Sequence, residues 1–244
     1  MKTKSVLISG GTSGIGLATV LKFVRDGYQV GTFSNVTKEI TQLKKELAKQ
    51  NFSDQFFVMF ADVTKEPDVK KFVQTAIKKF KKIDILFNNA GVGYYNESDK
   101  VELSKFQKMI DINLVGTASL TKHVVPHMKK KKKGLIINMV SIWGNESRPR
   151  KEFYSATKFG TKGYSLGIRQ ELKPFKIKVT TINPQNVRTA WQGKLNKSEL
   201  ARRKREGLSN KEPMLEAYDI ANLVSFICGQ PDHVVIEDVT TVPI

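Results

Sequence analysis

The run Val6-Leu7-Ile8-Ser9-Gly10-Gly11-Thr12-Ser13-Gly14-Ile15-Gly16 leads into Leu17, Ala18, Val20, Leu21 and Val24. Its apolar opening is a short run bounded by glycines, which reads as a strand. After Gly16 the apolar residues recur three and four apart, the spacing of a helix. The glycines between them form a turn in which the backbone can come close to a ligand. The helix N-terminus adds unpaired N–H groups and a favourable dipole, which suits a pyrophosphate. Glycines at 10, 14 and 16 give G-x-x-x-G-x-G rather than G-x-G-x-x-G, and the absence of a following Gly-Lys-Ser/Thr excludes a Walker loop.

Working outward, the same alternation fills the chain. Strand-like runs fall at Val6–Ser9, Val30–Phe33, Phe56–Phe60, Ile85–Asn88, Leu135–Met139, Val179–Asn183 and Val234–Val239. Helical patterns lie between them. The clearest puts Val69, Phe72, Val73, Ala76, Ile77 and Phe80 on one stripe with lysines opposite, and Thr64, Pro67 and Asp68 mark its start. Strand–helix alternation predicts an α/β fold: one doubly wound parallel sheet of about seven strands, with helices on both faces. No linker divides the chain, so residues 1–244 are expected to form one domain. The polar, basic stretch 186–213, with Arg202-Arg203-Lys204-Arg205, is expected to be a substrate loop.

Composition narrows the class. Hydrophobic residues at 40% exclude a disordered chain, and a single cysteine, Cys228, excludes a disulfide framework. No run of about 18 apolar residues is present and Met1 leads almost directly into the first strand, so a cytoplasmic protein without a membrane span is expected. Lys and Arg total 41 against 23 Asp and Glu, a net charge of +18. Such a surplus raises nucleic acid, an anionic surface or an acidic substrate as partners. The basic residues are distributed over most helices without interleaved aromatics, which favours a solvated surface and makes nucleic acid the less favoured partner. Lys129–Lys133 is expected to close a helix, where cations meet the negative end of the dipole. No Gly-x-Ser-x-Gly nucleophile elbow occurs. His123 and His127 lack a third ligand, so no metal site is expected.

The chemistry concentrates in Tyr154-Ser155-Ala156-Thr157-Lys158. Tyr154 and Lys158, at i and i+4, share one helix face. A free phenol titrates near 10, and a neighbouring ammonium stabilises the phenolate, bringing it toward a useful acid–base range. Ser141 lies thirteen residues upstream of Tyr154, just past the strand-like 135–139 run, and Asn113 lies on a predicted helix.

With these motifs the chain resembles the short-chain dehydrogenase/reductase family over essentially its whole length. The family's Thr-Gly-x-x-x-Gly-x-Gly is met with Ser9 in place of Thr, its Asp-hydrophobic pair by Asp62-Val63, and its Asn-Asn-Ala-Gly by residues 88–91. Its Asn-Ser-Tyr-Lys tetrad matches Asn113, Ser141, Tyr154 and Lys158. The resemblance implies a Rossmann-like fold and hydride transfer between a nicotinamide cofactor and a carbonyl or secondary alcohol. It assigns Tyr154 as general acid and base, and Ser141 as hydrogen-bond donor to the reacting oxygen. Lys158 would tune Tyr154 and hold the nicotinamide ribose, and Asn113 would support a proton-relay water. Cofactor contacts are expected from Ser9, Gly10, Thr12, Ser13, Gly14, Ile15, Gly16, Ser34, Asn35, Asp62, Val63, Asn89, Ala90, Gly91, Tyr154, Lys158, Pro184, Val187 and Thr189.

The strand expected to end at Phe33 is followed by Ser34 and Asn35, without the acid that binds the ribose hydroxyls of NAD. Glu39 comes only inside the next helix, and Ser34, Asn35, Thr37 and Lys38 offer donors to a phosphate. NADP(H) is therefore the preferred cofactor, with NAD(H) as the alternative. Gln185 replaces the family's glycine after Pro184, and the C-terminus is more similar to the branch of 3-hydroxy acid dehydrogenases and carbonyl reductases. Tyr94, Tyr95, Trp143, Phe153 and Trp191 are expected to rim the pocket, and Arg202–Arg205 to favour an anionic substrate. The resemblance also implies a homodimer or homotetramer. A catalytically inactive scaffold binding nucleic acid or an anionic surface is the alternative reading.

Overall fold

The computed structural model describes residues 3–50, 52, 55–189 and 213–244. Seven parallel strands form one sheet in the order β3-β2-β1-β4-β5-β6-β9. They are β1 (Ser5–Ser9), β2 (Gln29–Ser34), β3 (Phe56–Phe60), β4 (Ile85–Asn88), β5 (Gly134–Met139), β6 (Ile177–Pro184) and β9 (Asp238–Thr241). A two-stranded ribbon, β7 (Val187–Arg188) with β8 (Leu215–Glu216), lies outside this sheet. The order reverses between β1 and β4, and in such sheets the crevice at the carboxyl ends beside that reversal receives ligands.

Burial on both faces explains the continuous apolar strand runs. In β1, Val6 and Ile8 enter one core while Leu7 enters the other; in β4, Ile85 and Phe87 divide from Leu86 in the same way. The first core packs beneath α1 (Gly14–Arg25), α2 (Thr37–Lys49) and α7 (Ala217–Gly229). The second packs beneath α3 (Glu66–Phe80) and α5 (Gly116–Lys131), with Leu172 from the end of α6 (Glu152–Leu172). The short α4 (Leu103–Ile110) runs into α5 through one π-helical turn, Asp111–Val115. No described helix is long and apolar enough to cross a membrane.

One local expectation is revised. The last strand is not Val234–Val239 but Asp238–Thr241, because polar groups rather than apolar periodicity set its register. Asp238 accepts from Thr181 Oγ1 (2.6 Å) and Asn183 Nδ2 (2.7 Å), and Arg169 Nη2 donates to the Glu237 carbonyl (2.5 Å). Val234 instead closes a turn onto Pro231, and Val235 is 42% exposed. The start of α3 falls where Thr64, Pro67 and Asp68 mark it: the helix begins at Glu66 with Pro67 and Asp68 in its first turn, and Asp68 turns back to accept from the Asp62 N–H (3.0 Å).

Helices α3 and α5 and the short turn after α6 each end on a lysine in the left-handed region: Lys81 (φ 64°), Lys132 (φ 49°) and Lys176 (φ 54°). At the turn from α1 to β2 the left-handed residue is Gly27 (φ 81°), the usual choice because glycine carries no Cβ to clash there. Each lysine therefore sits at a backbone cost of about 1 kcal/mol. Lys132→Gly is expected to raise stability by roughly that amount, read as a higher urea midpoint at unchanged slope, while Gly27→Ala lowers it. A destabilised Lys132→Gly protein would contradict this account of the turn.

Candidate active site

The residues singled out from sequence gather at the carboxyl ends of the central strands. Ser9 ends β1, and its hydroxyl accepts from the N–H groups of Asn89 and Ala90 (3.0 Å each). Asn89 Nδ2 returns to the carbonyls of Ser9 and Gly10 (3.0 and 3.2 Å), so the turns after β1 and β4 are tied together. A Cβ at Gly16 would stand 2.2 Å from the Gly10 carbonyl oxygen and 2.6 Å from Asn89 Nδ2. Only glycine fits there. Thr189 touches the Gly14 position, with Cγ2 3.2 Å from where a Cβ would lie. Thr189 is thus beside the glycine turn despite its distance in sequence.

Asp62 and Asn35 line a cavity of about 390 Å³ with Thr64, Gln107, Lys108 and Ile112. Partial burial works to raise the Asp62 carboxyl. Hydrogen bonds from Thr64 and Asn35 and the charge of Lys65 outweigh it and hold the group below its ordinary value. Ser34 Oγ accepts from the Val36 N–H (3.1 Å) at the end of β2. Glu39, set aside in sequence as belonging to the next helix, is brought to the glycine turn, where it accepts from Thr12 Oγ1 (2.5 Å).

Asn113 lies inside the π-helical turn and is 1% exposed. Its side chain accepts from the Val92 N–H (2.8 Å) and donates to the Val92 carbonyl (2.9 Å) and Thr157 Oγ1 (3.0 Å). Thr157 donates in turn to the Tyr154 carbonyl (2.8 Å), linking Asn113 to the helix that carries Tyr154 and Lys158. Lys158 Nζ donates to the Met139 carbonyl (3.0 Å) and lies 5.6 Å from the Tyr154 ring centroid. Ser141, just past β5, makes a side-chain hydrogen bond with Tyr154. Burial pushes the Tyr154 phenol well above its ordinary value and nearby Tyr95 adds to this, while the Ser141 bond opposes both. Lys158 is pulled down to about 8 by burial.

A nucleotide-type turn, a crevice at the sheet reversal, and Asn113, Ser141, Tyr154 and Lys158 converging beside it agree with the wider comparison. The short chain dehydrogenase family profile matches residues 4–200. The chain belongs to that family. It is 30% identical to serine 3-dehydrogenase of Rhizobium radiobacter, over 98% of this chain and 94% of that protein. It is 29% identical to a probable NADP-dependent dehydrogenase of Haemophilus influenzae, over 100% and 94%. Among solved structures, the closed form of a serine dehydrogenase complexed with NADP+ superposes with a TM-score of 0.87 at 26% identity, covering 97% of this chain and 94% of that one. Like its relatives, this short chain dehydrogenase is an oxidoreductase acting on CH–OH groups.

Gln185 stands where the family has glycine, and the backbone adapts one residue later. Asn186 takes the left-handed conformation (φ 37°), while Gln185 donates its N–H to the Thr241 carbonyl (2.9 Å). Of the expected rim, Tyr95 meets Tyr154 edge-on with centroids 5.6 Å apart, and Trp143 lies under Arg148 (5.0 Å). Phe153 packs on Phe106 (4.9 Å), and the Tyr94 N–H donates to Met109 Sδ (3.3 Å). Trp191 and Arg202–Arg205 lie outside the described residues, as does most of 186–213. Sequence reading passed over Thr157 and Lys151. A threonine three residues after Tyr154 on a buried helix face was the available signal for the first; the second needed the fold.

Burial of the Lys158 ammonium has a measurable sign. Its folded value, about 8, lies below that of an unfolded lysine, so the folded chain releases this proton first and gains stability as pH rises from about 8 toward 10. Below pH 8 the full burial cost is present. Lys158→Met is expected to be more stable than the parent at pH 7 by about 1–3 kcal/mol. Urea midpoints measured across pH should converge above pH 10, and a constant difference between the two proteins would refute the assignment.

Proposed function

We propose that this short chain dehydrogenase uses NADP(H) to interconvert a carbonyl and a secondary alcohol on a small, carboxylate-bearing substrate, with Tyr154 as general acid and base. The observation that carries the reading is the Ser141–Tyr154 hydrogen bond at the carboxyl edge, with Lys158 on the same helix face. Residues 1–244 act as one catalytic domain in this reading, with 186–213 as its substrate loop. The β7–β8 ribbon supports that role, since it pairs Val187 with Leu215 and Arg188 with Glu216, joining the two flanks of the stretch.

The residues present suit the cofactor: the Gly16 position admits no side chain, and Thr189 lies against the glycine turn. Ser9, Gly10, Thr12, Ser13, Gly14 and Ile15 form the pyrophosphate turn, Asp62 and Val63 lie toward the adenine, and Asn89, Ala90 and Gly91 border the ribose and nicotinamide. NADPH, when bound, supplies the hydride. The lack of an acid at the end of β2 and the tie of Glu39 to Thr12 favour the phosphorylated form, as do the NADP named for two relatives. During reduction Tyr154 gives its phenolic proton to the carbonyl oxygen; during oxidation it removes the hydroxyl proton. Ser141 donates to that oxygen as its charge develops. The Lys158 ammonium stabilises the phenolate left on Tyr154. Asn113 fixes the helix that carries both.

Tyr154→Phe is expected to lower kcat/KM by roughly 10³-fold or more with little change in NADPH affinity, across a panel of carbonyls and alcohols assayed with each cofactor. Retention of a tenth of the activity, or a strong preference for NADH, would overturn the corresponding part of the reading.

The substrate class rests on the cations at the pocket rim. Lys151 Nζ lies 3.2 Å from the Tyr95 ring centroid and 5.9 Å from that of Trp143, with Arg148 on the same tryptophan. Tyr95 reaches Tyr154, so a carboxylate held at Lys151 would place a neighbouring carbonyl near the phenol; the serine 3-dehydrogenase named among the relatives fits that class. Lys151→Met is expected to raise KM for a hydroxy acid at least tenfold, about 1.4 kcal/mol, while leaving a neutral secondary alcohol unaffected. Equal losses on both substrates would refute a carboxylate site. Exposed Val115, Phe159 and Leu166 on the π-helical turn and α6 support assembly of two or four copies.

A further inference from the structure

The sequence suggested cations dispersed over most helices; the fold gathers them. Three connections, α3 to β4, α5 to β5 and α6 to β6, enter neighbouring strands of the sheet. Residues 78–82 carry four lysines, Lys129–Lys133 five, and residues 173–178 three, against three carboxylates that pair with them, Asp84, Glu171 and Asp232. A surplus of nine positive charges, in a chain whose net charge is +18, therefore lies at the strand-entry end, opposite Ser9, Ser141 and the glycine turn. The connections touch one another. Lys131 pairs with Asp84 (2.5 Å), and Lys129 pairs with Glu171 (2.8 Å) and covers the Phe175 ring (4.6 Å). Lys133 pairs with Asp232 (2.5 Å), so all three carboxylates are engaged by lysines within the patch.

A second observation separates this patch from an ordinary solvated surface. Among the described residues three lysines are left-handed, Lys81, Lys132 and Lys176, one in each of these connections, while the turn from α1 to β2 uses Gly27. Charge has been kept three times over against local backbone preference, the kind of conflict that marks functional surfaces.

The chemistry narrows the partner. All twelve cations are lysines, compact point charges that meet phosphates without bidentate geometry. None of the large exposed apolar side chains falls in the three connections, so the patch offers neither an anchor for a bilayer nor a platform for unstacked bases. What remains is sequence-independent attraction to a dense phosphate lattice. We infer that the strand-entry end of the sheet is a docking surface for the phosphate backbone of duplex nucleic acid, on the face opposite the catalytic crevice.

The test is binding of the full chain to fluorescent 24-base-pair duplexes of arbitrary sequence, one DNA and one RNA, titrated across salt. Engagement of about five phosphates predicts a slope of log K against log salt near −4.5. The triple variant Lys81→Gly, Lys132→Gly, Lys176→Gly removes three charges while relieving the backbone, so loss of binding cannot be ascribed to unfolding. It is expected to flatten the slope by about 2.7 and to leave carbonyl reduction unchanged. Binding of either duplex with that behaviour supports the inference, and the tighter one names the source of the phosphates. A parent slope shallower than −1, or a triple variant that binds as the parent does, would overturn it. So would tighter binding to phosphatidylserine vesicles than to both duplexes at equal salt.

Discussion

The Asn113 side chain is the joint on which the site depends. It meets both backbone groups of Val92 as a neighbouring strand would, and spends its remaining donor on Thr157. Its own carbonyl accepts from Thr117 Oγ1 (2.9 Å) and Thr161 Oγ1 (3.2 Å). The loop after β4, helix α5 and helix α6 therefore meet at one residue. An amide buried this deeply is costly unless all its groups are paired, so the pairing and the geometry enforce each other. The π-helical turn fits this role, since a widened turn is a common way for a helix to serve a functional position. Gly116 follows it where a Cβ would lie 2.8 Å from Val63.

Below that joint the polar chain continues into the sheet. Asn88 and Asn138, opposite one another on β4 and β5, are bonded side chain to side chain (2.8 Å). Asn88 also donates to Thr121 on α5 (3.0 Å), and Asn138 to Ser165 on α6 (2.8 Å). Two apolar cores hold the layers together, but they do not by themselves fix how far each helix slides along its axis. Directional bonds from the sheet to one hydroxyl on each helix supply that constraint, and Tyr154 and Lys158 inherit their positions from it.

What was legible in the sequence follows the same division. Strands buried on both faces, such as Ile85–Asn88, announce themselves as unbroken apolar runs, and helical spacing puts Tyr154 and Lys158 on one face before any fold is known. The last strand was misplaced because Asp238–Thr241 is held by carboxylate and amide bonds, whereas the more apolar Val234–Ile236 only follows the turn that the Val234 N–H closes onto Pro231. The clamp on Asn113 was illegible for a different reason: its main partner is the backbone of Val92, which has no signature in residue type. The same holds for Glu39, whose approach to Thr12 depends on how α2 packs beside the glycine turn.

Charge shows the limit of composition most clearly. A surplus of +18 says nothing about direction, and the lysines look scattered along the chain. Parallel topology removes the scatter, because every helix-to-strand connection arrives at the same end of the sheet. Lysines at helix C-termini would be expected from the dipole alone, and that favourable term explains Lys129–Lys131 within the last turn of α5. It does not explain Lys132, the residue after the helix, whose left-handed backbone favours glycine. A dipole contribution of a few tenths of a kcal/mol at an exposed site is smaller than the roughly 1 kcal/mol conformational cost it would have to offset. The balance at Lys81, Lys132 and Lys176 therefore runs against folding, and their common position at one end of the molecule is a property of the surface rather than of the helices that lead to it.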